Sequence, residues 1–497
     1  MKANINQRRA GVLLHITSLP SRDLGKDAYA FVDFLHECGA SVWQVLPLGL
    51  THEDNSPYQS LSAHAGNVDL INLNYLVTQG WLTETECCKP NMCHRNSHFW
   101  RRCLFSKAFD HFQQNASHEE KDAFATFCQT NHFWLADFAL FSVLREKFNQ
   151  QSWNTWPIEF KNRNIAALND IRFFSQAAIN TVKFEQYIFF KQWTALKRYA
   201  NERGILLFGD LPIFVSYDSV DVWANRKVFK LNDEGAMSVV AGVPPDYFSQ
   251  TGQRWGNPHY DWNYLQSTGF NWWLDRMQTQ TALFDIVRID HFRGLEAAWE
   301  IPADEPTAIN GQWVKASGEA LLSAIYMKFQ DIALVAEDLG VITPEVDALR
   351  AKFNLAGMKI LQFAFSGESD NPYLPENHTV NSVVYTGTHD NDTTVGWLHS
   401  LTPEQRAYIS GKLNVDENDI PSALIKCTLA SIAELAIIPM QDILELDGTH
   451  RMNTPGTTEH NWQWHFQWKQ ISNKYVTQFT KLIEQTHRQC RKNVTQC

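Results

Sequence analysis

The sequence contains no apolar run that approaches the roughly 18 residues a membrane-spanning helix requires. Its amino terminus, residues 1–9, is polar, and His15 interrupts the apolar stretch 12–16 that follows, so the pattern of a secretion signal is missing. The nine cysteines are an odd number, and their spacing is not that of a disulfide framework. These features predict a cytoplasmic protein with free thiols and no membrane partner.

The chain also lacks an excess of basic residues. Lys and Arg total 43 against 54 Asp and Glu, which gives a net charge of −11 and argues against nucleic acid as the main partner. Neither of the glycine-rich nucleotide-binding patterns, G-x-G-x-x-G and G-x-x-x-x-G-K-[ST], occurs. A neutral or cationic small substrate fits this composition better.

Short apolar runs are present, and they define the predicted fold. Eight of them end in polar or small residues, as buried parallel strands do, and in the second half of the chain helical patterns separate them. A length of 497 residues suits either two to four domains or one α/β barrel with insertions. Eight strands with crossovers favour a (β/α)8 TIM barrel with inserted subdomains. The runs are 12–16, 42–46, 205–208, 286–289, 333–336, 359–363, 382–386 and 435–439.

The spacing of these runs predicts the domain organisation. We expect residues 1–497 to form a single catalytic barrel. The interval after the second strand is longer than one crossover needs, so 48–204 is predicted to be a largely helical inserted subdomain. A smaller insertion is expected at 211–284. It contains a polar, glycine-punctuated segment with three aromatic residues, 244–256, whose composition is typical of a mobile loop over a cleft.

Carboxylates follow four of the predicted strands: Asp210, Asp290, Glu337 and Asp390. Since all strands of such a barrel point the same way, these side chains should converge on the face where barrel active sites form. The alternative is that they are N-cap residues that stabilise the next helix.

Clustered carboxylates support two kinds of chemistry. Crowding raises the pKa of at least one carboxyl group, as retaining glycosidases require for their acid. Arg288 should share a strand face with Asp290 and keep it ionised. Metal-dependent hydrolysis is the other possibility, with His291 and His389 as ligands. A separate group, Cys87, Cys88 and Cys93, lacks zinc-site spacing and is predicted to be free thiols in a helical insert.

Six segments, in order along the chain, closely resemble the amylomaltases, which are 4-α-glucanotransferases of glycoside hydrolase family 77. They are GVLLHITSLP at 11–20, SPYQS at 56–60, GDLPIFV at 209–215, VRIDHFRG at 287–294, AEDLG at 336–340 and YTGTHDND at 385–392. The likeness extends from about residue 11 to 464, and six dispersed motifs are highly specific.

The resemblance implies roles for individual residues. Asp290 matches the nucleophile, Glu337 the general acid/base and Asp390 the transition-state stabiliser. The matching substrate-binding residues are Tyr58, Asp210, Arg288, His389, Tyr247, Phe248, Trp255 and Asn453, of which Tyr247, Phe248 and Trp255 belong to the loop 244–256. The segments RMNTPGT at 451–457 and NWQW at 461–464 also match.

The implied activity is retaining transfer of α-1,4-glucan segments from a donor to a maltooligosaccharide or glucose acceptor. No organic cofactor and no catalytic metal are expected. An α-amylase-type hydrolase would use the same carboxylates, with water in place of the acceptor sugar. A catalytically silent glycan-binding protein or a metal-dependent hydrolase would also be compatible with the predicted fold.

Overall fold

A computed structural model describes residues 7–88, 94–245 and 249–489, except for the side chains of 94–99. Eight parallel strands form one sheet: β1 Arg9–Leu13, β2 Val42–Gln44, β3 Leu206–Pro212, β4 Ile286–Asp290, β5 Ala333–Ala336, β6 Gly357–Ile360, β7 Ser382–Tyr385 and β8 Leu435–Pro439. Their order in the sheet is β6-β7-β8-β1-β2-β3-β4-β5. A parallel bridge between Val335 and Ala356 joins the two edges, so the sheet closes into a barrel.

The predicted (β/α)8 barrel is therefore confirmed, although two strands begin earlier than their apolar runs indicate. Strand β1 starts at Arg9 because Arg9 and Ala10 pair with Leu435 and Ala436 of β8. The chain then turns into a short 3-10 helix, Ile16–Ser18, in which Ile16 is buried outside the ladder. An apolar run shows which residues are buried, whereas the bounds of a strand depend on its backbone hydrogen bonds to neighbouring strands.

The barrel interior is filled by side chains that alternate along the strands. Phe208, Ile286, Met358 and Ile437 lie in one interior cluster of buried residues. Their sequence neighbours point outward toward the helices, as the twofold repeat of a strand requires. Gly209 lies so close to the Phe284 ring that an added Cβ would be 2.2 Å from it, which fits a glycine in the strand just before Asp210.

Helices surround the barrel. Between β2 and β3 the chain forms helices Leu73–Thr78, Glu84–Cys87, His94–Asn115, His118–Thr130, His132–Lys147, Ile158–Lys161, Ile165–Phe174 and Gln176–Glu202. The remaining α-helices of the described chain are Lys26–Cys38, Val220–Ala224, Trp262–Ser267, Asn271–Leu283, Gly318–Lys328, Pro344–Lys352, Thr394–Ser400, Pro403–Leu413, Ile420–Ala430, Met440–Ile443 and Asn473–Gln485. None of the helices described has the length and apolar character needed to cross a membrane.

A second, antiparallel sheet lies outside the barrel and was not predicted. Its strands, in spatial order, are Gln253–Pro258, Val239–Val243, Ala297–Pro302 and Gln312–Lys315. The loop between Val239–Val243 and Gln253–Pro258 contains most of the predicted lid segment, 244–256. This sheet joins the lid to the chain that follows β4. The division of the chain into a barrel and two insertions stays a prediction.

Candidate active site

A buried arginine binds two of the four predicted carboxylates. Arg288 and Asp290 lie two residues apart on β4 and so share a face of the strand. Nη1 of Arg288 donates to both carboxylate oxygens of Asp210 at 2.7 Å. Nη2 lies 2.9 Å from Oδ1 of Asp290. The side chain of Asp210 is fully buried, whereas that of Asp290 is 27% exposed, so Asp290 is the one that a substrate can reach.

Glu337 follows the neighbouring strand β5 and faces the same site. Its Oε2 accepts a hydrogen bond from the backbone N–H of His291 at 2.6 Å, and its Oε1 accepts one from that of Leu339 at 2.9 Å. His291 has a left-handed backbone with φ of 52°, which is uncommon for a residue with a side chain. This turn directly after Asp290 points an N–H at Glu337. His291, which directly follows Asp290 in the chain, therefore connects Asp290 to Glu337 through its backbone N–H.

The crowding has an electrostatic consequence. Burial raises the pKa of Asp290, and the negative charges of Asp210, Glu337 and Asp390 raise it further, while Arg288 lowers it. Burial also raises the pKa of Glu337, against the opposing effects of Arg288 and the two backbone N–H groups. Both Asp290 and Glu337 therefore have a raised pKa and hold a proton at higher pH than isolated carboxyl groups would.

Asp390 is the most exposed of the four carboxylates, with 47% of its side chain accessible. Nδ2 of Asn453 donates to its Oδ1 at 2.7 Å, and Nη2 of Arg451 donates to its backbone oxygen at 2.9 Å. Nε2 of His389 lies 3.4 Å from its Oδ2. Asn453, expected to bind sugar directly, here supports Asp390, and its sugar contact stays a prediction.

A chain of hydrogen bonds links opposite sides of the site through Tyr58. Its hydroxyl donates to Oδ2 of Asp210 at 2.7 Å and lies 2.8 Å from Nε2 of His389. Since the hydroxyl proton is used on Asp210, Nε2 of His389 must be the donor to the tyrosine oxygen. Burial lowers the pKa of His389, which favours the neutral ring with its proton on Nε2.

Three rings form one wall of the cleft. The rings of Tyr58 and His389 are stacked at 5.3 Å with an interplanar angle of 14°. The Trp462 ring lies 5.9 Å from each of them. Trp462 and Arg451 were not among the predicted site residues, although both belong to segments that match the family pattern. The wall offers the apolar ring faces on which pyranose sugars stack.

One of the three predicted lid aromatics is described. Trp255, on the outer-sheet strand Gln253–Pro258, contacts the His291 ring edge to face at 4.8 Å. Tyr247 and Phe248 lie outside the described residues. The lid segment thus touches the residue whose backbone N–H binds Glu337.

Two alternative interpretations of the four carboxylates, as N-cap residues and as metal ligands, can be compared with the structure. The N-cap residues of the helices that follow these strand ends are Ser219, His291, Thr343 and Thr393, so none of the four carboxylates is an N-cap residue. Within the described residues, no three His, Cys, Asp or Glu side chains are arranged to hold a metal ion. Cys87 and Cys88 are free thiols, and Cys93 lies outside the described residues.

A closed parallel barrel with carboxylates and one arginine at the carboxyl ends of its strands is the arrangement of a (β/α)8-barrel enzyme. Comparison with known proteins identifies the family. The model of the 4-alpha-glucanotransferase family matches residues 14–471. The chain belongs to this family, as its motifs predicted.

Individual relatives agree with this assignment. The 4-alpha-glucanotransferase of Thermus thermophilus is 45% identical over 97% of this chain and 99% of its own length. The chloroplastic/amyloplastic 4-alpha-glucanotransferase of Solanum tuberosum is 43% identical over 92% of this chain and 82% of its own. Among solved structures, the amylomaltase from Streptococcus agalactiae in complex with acarbose superposes with a TM-score of 0.93 at 36% identity, over 97% of this chain and all of that one.

Proposed function

We propose that this protein is a retaining 4-alpha-glucanotransferase that moves α-1,4-glucan segments between maltooligosaccharides through a covalent glucosyl-enzyme intermediate. The observation that carries the proposal is the pairing of Asp290 with Glu337 at adjacent strand ends, with Arg288 against the first and backbone N–H groups against the second. Family membership supports the substrate class, and a related amylomaltase is known in complex with acarbose.

In the first step a carboxylate oxygen of Asp290 attacks the anomeric carbon of the donor sugar. The glycosidic C–O bond breaks, and Glu337 gives its proton to the leaving oxygen. Contact with the Arg288 guanidinium favours the ionised form of Asp290, so the proton that the pair retains belongs on Glu337 at this stage.

In the second step the 4-hydroxyl oxygen of an acceptor glucan attacks the same carbon. Glu337 now takes the hydroxyl proton, and the bond to Asp290 breaks, so two inversions leave the α configuration unchanged. Asp390 and His389 would bind hydroxyl groups of the cleaved sugar, and the rings of Tyr58 and Trp462 would support its apolar face. Asp210 accepts hydrogen bonds from Arg288 and Tyr58 and so fixes the position of both side chains.

Transfer must compete with hydrolysis because water is present at about 55 M, so the enzyme has to bind the acceptor and restrict attack by water. The lid 244–256 is suited to this, since Trp255 already contacts the residue that follows Asp290. We propose that Tyr247, Phe248 and Trp255 bind the acceptor sugar and shield the intermediate from water. The aromatic residues of the lid favour a sugar acceptor over water and hence a transferase over an α-amylase-type hydrolase.

We also propose that the enzyme works in the cytoplasm. Six cysteines of the described chain are free thiols, which suits a reducing compartment. They are Cys38, Cys87, Cys88, Cys103, Cys128 and Cys427. The inserted segments 48–204 and 211–284 are proposed as subdomains of one catalytic body that covers residues 1–497.

Two experiments test the proposed function. Incubation with maltotriose should yield glucose together with a ladder of longer oligosaccharides, whereas maltose and glucose alone would show a hydrolase. Asp290→Asn should lower turnover by several orders of magnitude while the fold persists, because an amide is a poor nucleophile of similar shape. The matched control is Asp285→Asn at the opposite end of β4, where the carboxylate binds the backbone N–H of Leu207. It should keep the activity of the unaltered protein.

A further inference from the structure

Asp442, a buried carboxylate behind the site, has no part in the mechanism above. It lies in the short helix Met440–Ile443 directly after β8, and it is 3% exposed. We propose that Asp442 is a positioning residue that fixes the loop 387–393, which presents His389 and Asp390 to the sugar. This inference rests on the proposed function, because it assigns the loop a role in the same reaction.

The carboxylate of Asp442 binds the chain on both sides of that loop. Its Oδ2 accepts a hydrogen bond from Oγ1 of Thr386 at 2.5 Å. Its Oδ1 accepts one from the backbone N–H of Thr394 at 2.7 Å. Thr386 directly follows β7, and Thr394 is the first residue of the helix Thr394–Ser400. One side chain from the neighbouring strand end therefore sets the distance between the two ends of the loop.

A cavity lies between the loop and the ends of β1 and β8. His389 and Asp392 line it on the loop side, and His15, Met452 and Trp464 line the other side. The loop is held beside this gap by hydrogen bonds and by the stacking of the His389 ring on Tyr58.

Other hydrogen bonds hold the middle of the loop, and the backbone N–H of Gln362 also donates to the backbone oxygen of Thr386 at 3.3 Å. Nη2 of Arg451 donates to the backbone oxygen of Asp390, and Nε2 of Gln362 donates to that of Asp392 at 2.9 Å. Asn391 closes a turn inside the loop by accepting from the backbone N–H of Thr388 at 2.8 Å. These contacts shape the loop, whereas Asp442 ties it to β7 and to the helix.

The chemistry of Asp442 suggests how to separate its geometry from its charge. A carboxylate can accept from both donors at once. An asparagine at this position could accept the Thr394 N–H with its oxygen and donate its N–H to the Thr386 hydroxyl, which can turn to accept. Asp442→Asn should therefore keep both contacts without the charge, while Asp442→Ala removes both. If the role is positional, the asparagine variant should recover activity.

The test is steady-state transfer from maltotriose by the full-length protein and its variants. Asp442→Ala should lower kcat on the order of 10- to 100-fold, as expected for reacting groups displaced by about 1 Å, with a smaller change in KM. Asp442→Asn should stay within a few-fold of the unaltered protein. Thr386→Val removes one of the two contacts and should give an intermediate kcat. When Thr386→Val is combined with Asp442→Ala, kcat should fall little further, because Asp442→Ala already removes the hydrogen bond to Thr386.

The matched control is Asp285→Ala, which removes a carboxylate that binds a backbone N–H at the far end of the barrel. It should lower thermal stability without lowering kcat. A folded Asp442→Ala variant with normal kcat would overturn the proposal, as would equal losses in Asp442→Ala and Asp442→Asn. If Asp442→Ala does not fold, Thr386→Val decides, and a normal kcat there would also overturn it. Absence of transfer in the unaltered protein would instead refute the proposed function.

Discussion

Replacement of Arg288 by methionine removes the guanidinium that contacts both Asp210 and Asp290. The side chain of Arg288 is only 5% exposed, and methionine fills the space of its aliphatic stem but not that of its guanidinium. Asp290 and Glu337 would then lose the cation that lowers the pKa of both. We expect Arg288→Met to fold less stably and to work only at higher pH.

The size of the effect follows from the contact. A positive charge within about 4–6 Å lowers a carboxyl pKa by roughly 1–3 units, so its removal raises the pKa of Asp290 by that amount. At a pH below that pKa the ionised, nucleophilic fraction of Asp290 falls on the order of 10- to 1000-fold. Asp210, whose side chain is fully buried, also loses its ion pair, and breaking a buried pair costs about 3–5 kcal/mol of stability.

The assay is the pH dependence of kcat/KM on maltotriose. The nucleophile must be deprotonated, so a raised pKa moves the acidic limb of the profile to higher pH. Arg288→Lys keeps the positive charge and should shift the limb less. Arg145→Met is the matched control, because Nη1 of Arg145 forms an ion pair with Asp218 at 2.5 Å outside the site. The Arg145→Met variant should be less stable, but the acidic limb of its pH profile should stay at the same pH. A folded Arg288→Met enzyme with an unshifted limb would refute the assignment of Arg288 and Asp290.

Three further predictions concern other residues. Glu337→Gln should lose on the order of 100- to 10,000-fold in rate with maltotriose, yet a glycosyl fluoride donor, whose leaving group needs no proton, should still load the enzyme; equal losses with both donors would exclude Glu337 as the acid. Replacing Tyr247 and Phe248 with alanine should lower the ratio of transfer to hydrolysis, measured by glucose release and reducing-end formation in parallel, and an unchanged ratio would contradict the role of the lid. Burial raises the pKa of Asp221 from 3.8 to about 6, which disfavours its ionised form by about 3 kcal/mol. Asp221→Asn should therefore raise the free energy of unfolding in urea by up to that amount at pH 8. It should have little effect well below pH 3.8, where the carboxyl group is protonated in both the folded and the unfolded state. Equal effects at the two pH values would contradict this.

The sequence by itself was sufficient for the barrel and for the face on which its four carboxylates lie. Buried parallel strands need continuous apolar residues, so all eight were visible as runs such as 286–289 and 435–439. Because parallel strands end on one face, the residue after each run predicted which side chains would meet. Asp290 and Glu337 could be named in this way before any distance was known.

The outer sheet shows what such patterns miss. Its central strands, Val239–Val243 and Ala297–Pro302, pair across more than fifty residues of chain that include β4. Val239–Val243 is apolar throughout and Ala297–Pro302 nearly so, but both are short and neither alternates polar with apolar residues, which is the pattern that marks a strand of a half-exposed sheet. Strand pairing between distant segments is a property of the folded chain, and local composition carries little trace of it.

The adjacent carboxylates Glu337 and Asp338 also show what the sequence pattern misses. Glu337 and Asp338 are adjacent in sequence, and nothing in the pattern alone separates their roles. In the structure Glu337 faces Asp290, whereas Asp338 turns away, accepts from the backbone N–H of Met358 at 2.6 Å and pairs with Arg350. The sequence determined which residue types stand at the end of each strand, because the apolar run that forms a strand and the polar residue after it are consecutive in the chain. Only the tertiary structure decided that Arg288 binds Asp210 as well as Asp290 and that Trp462 joins Tyr58, because those contacts depend on how separate strands and loops close around one another.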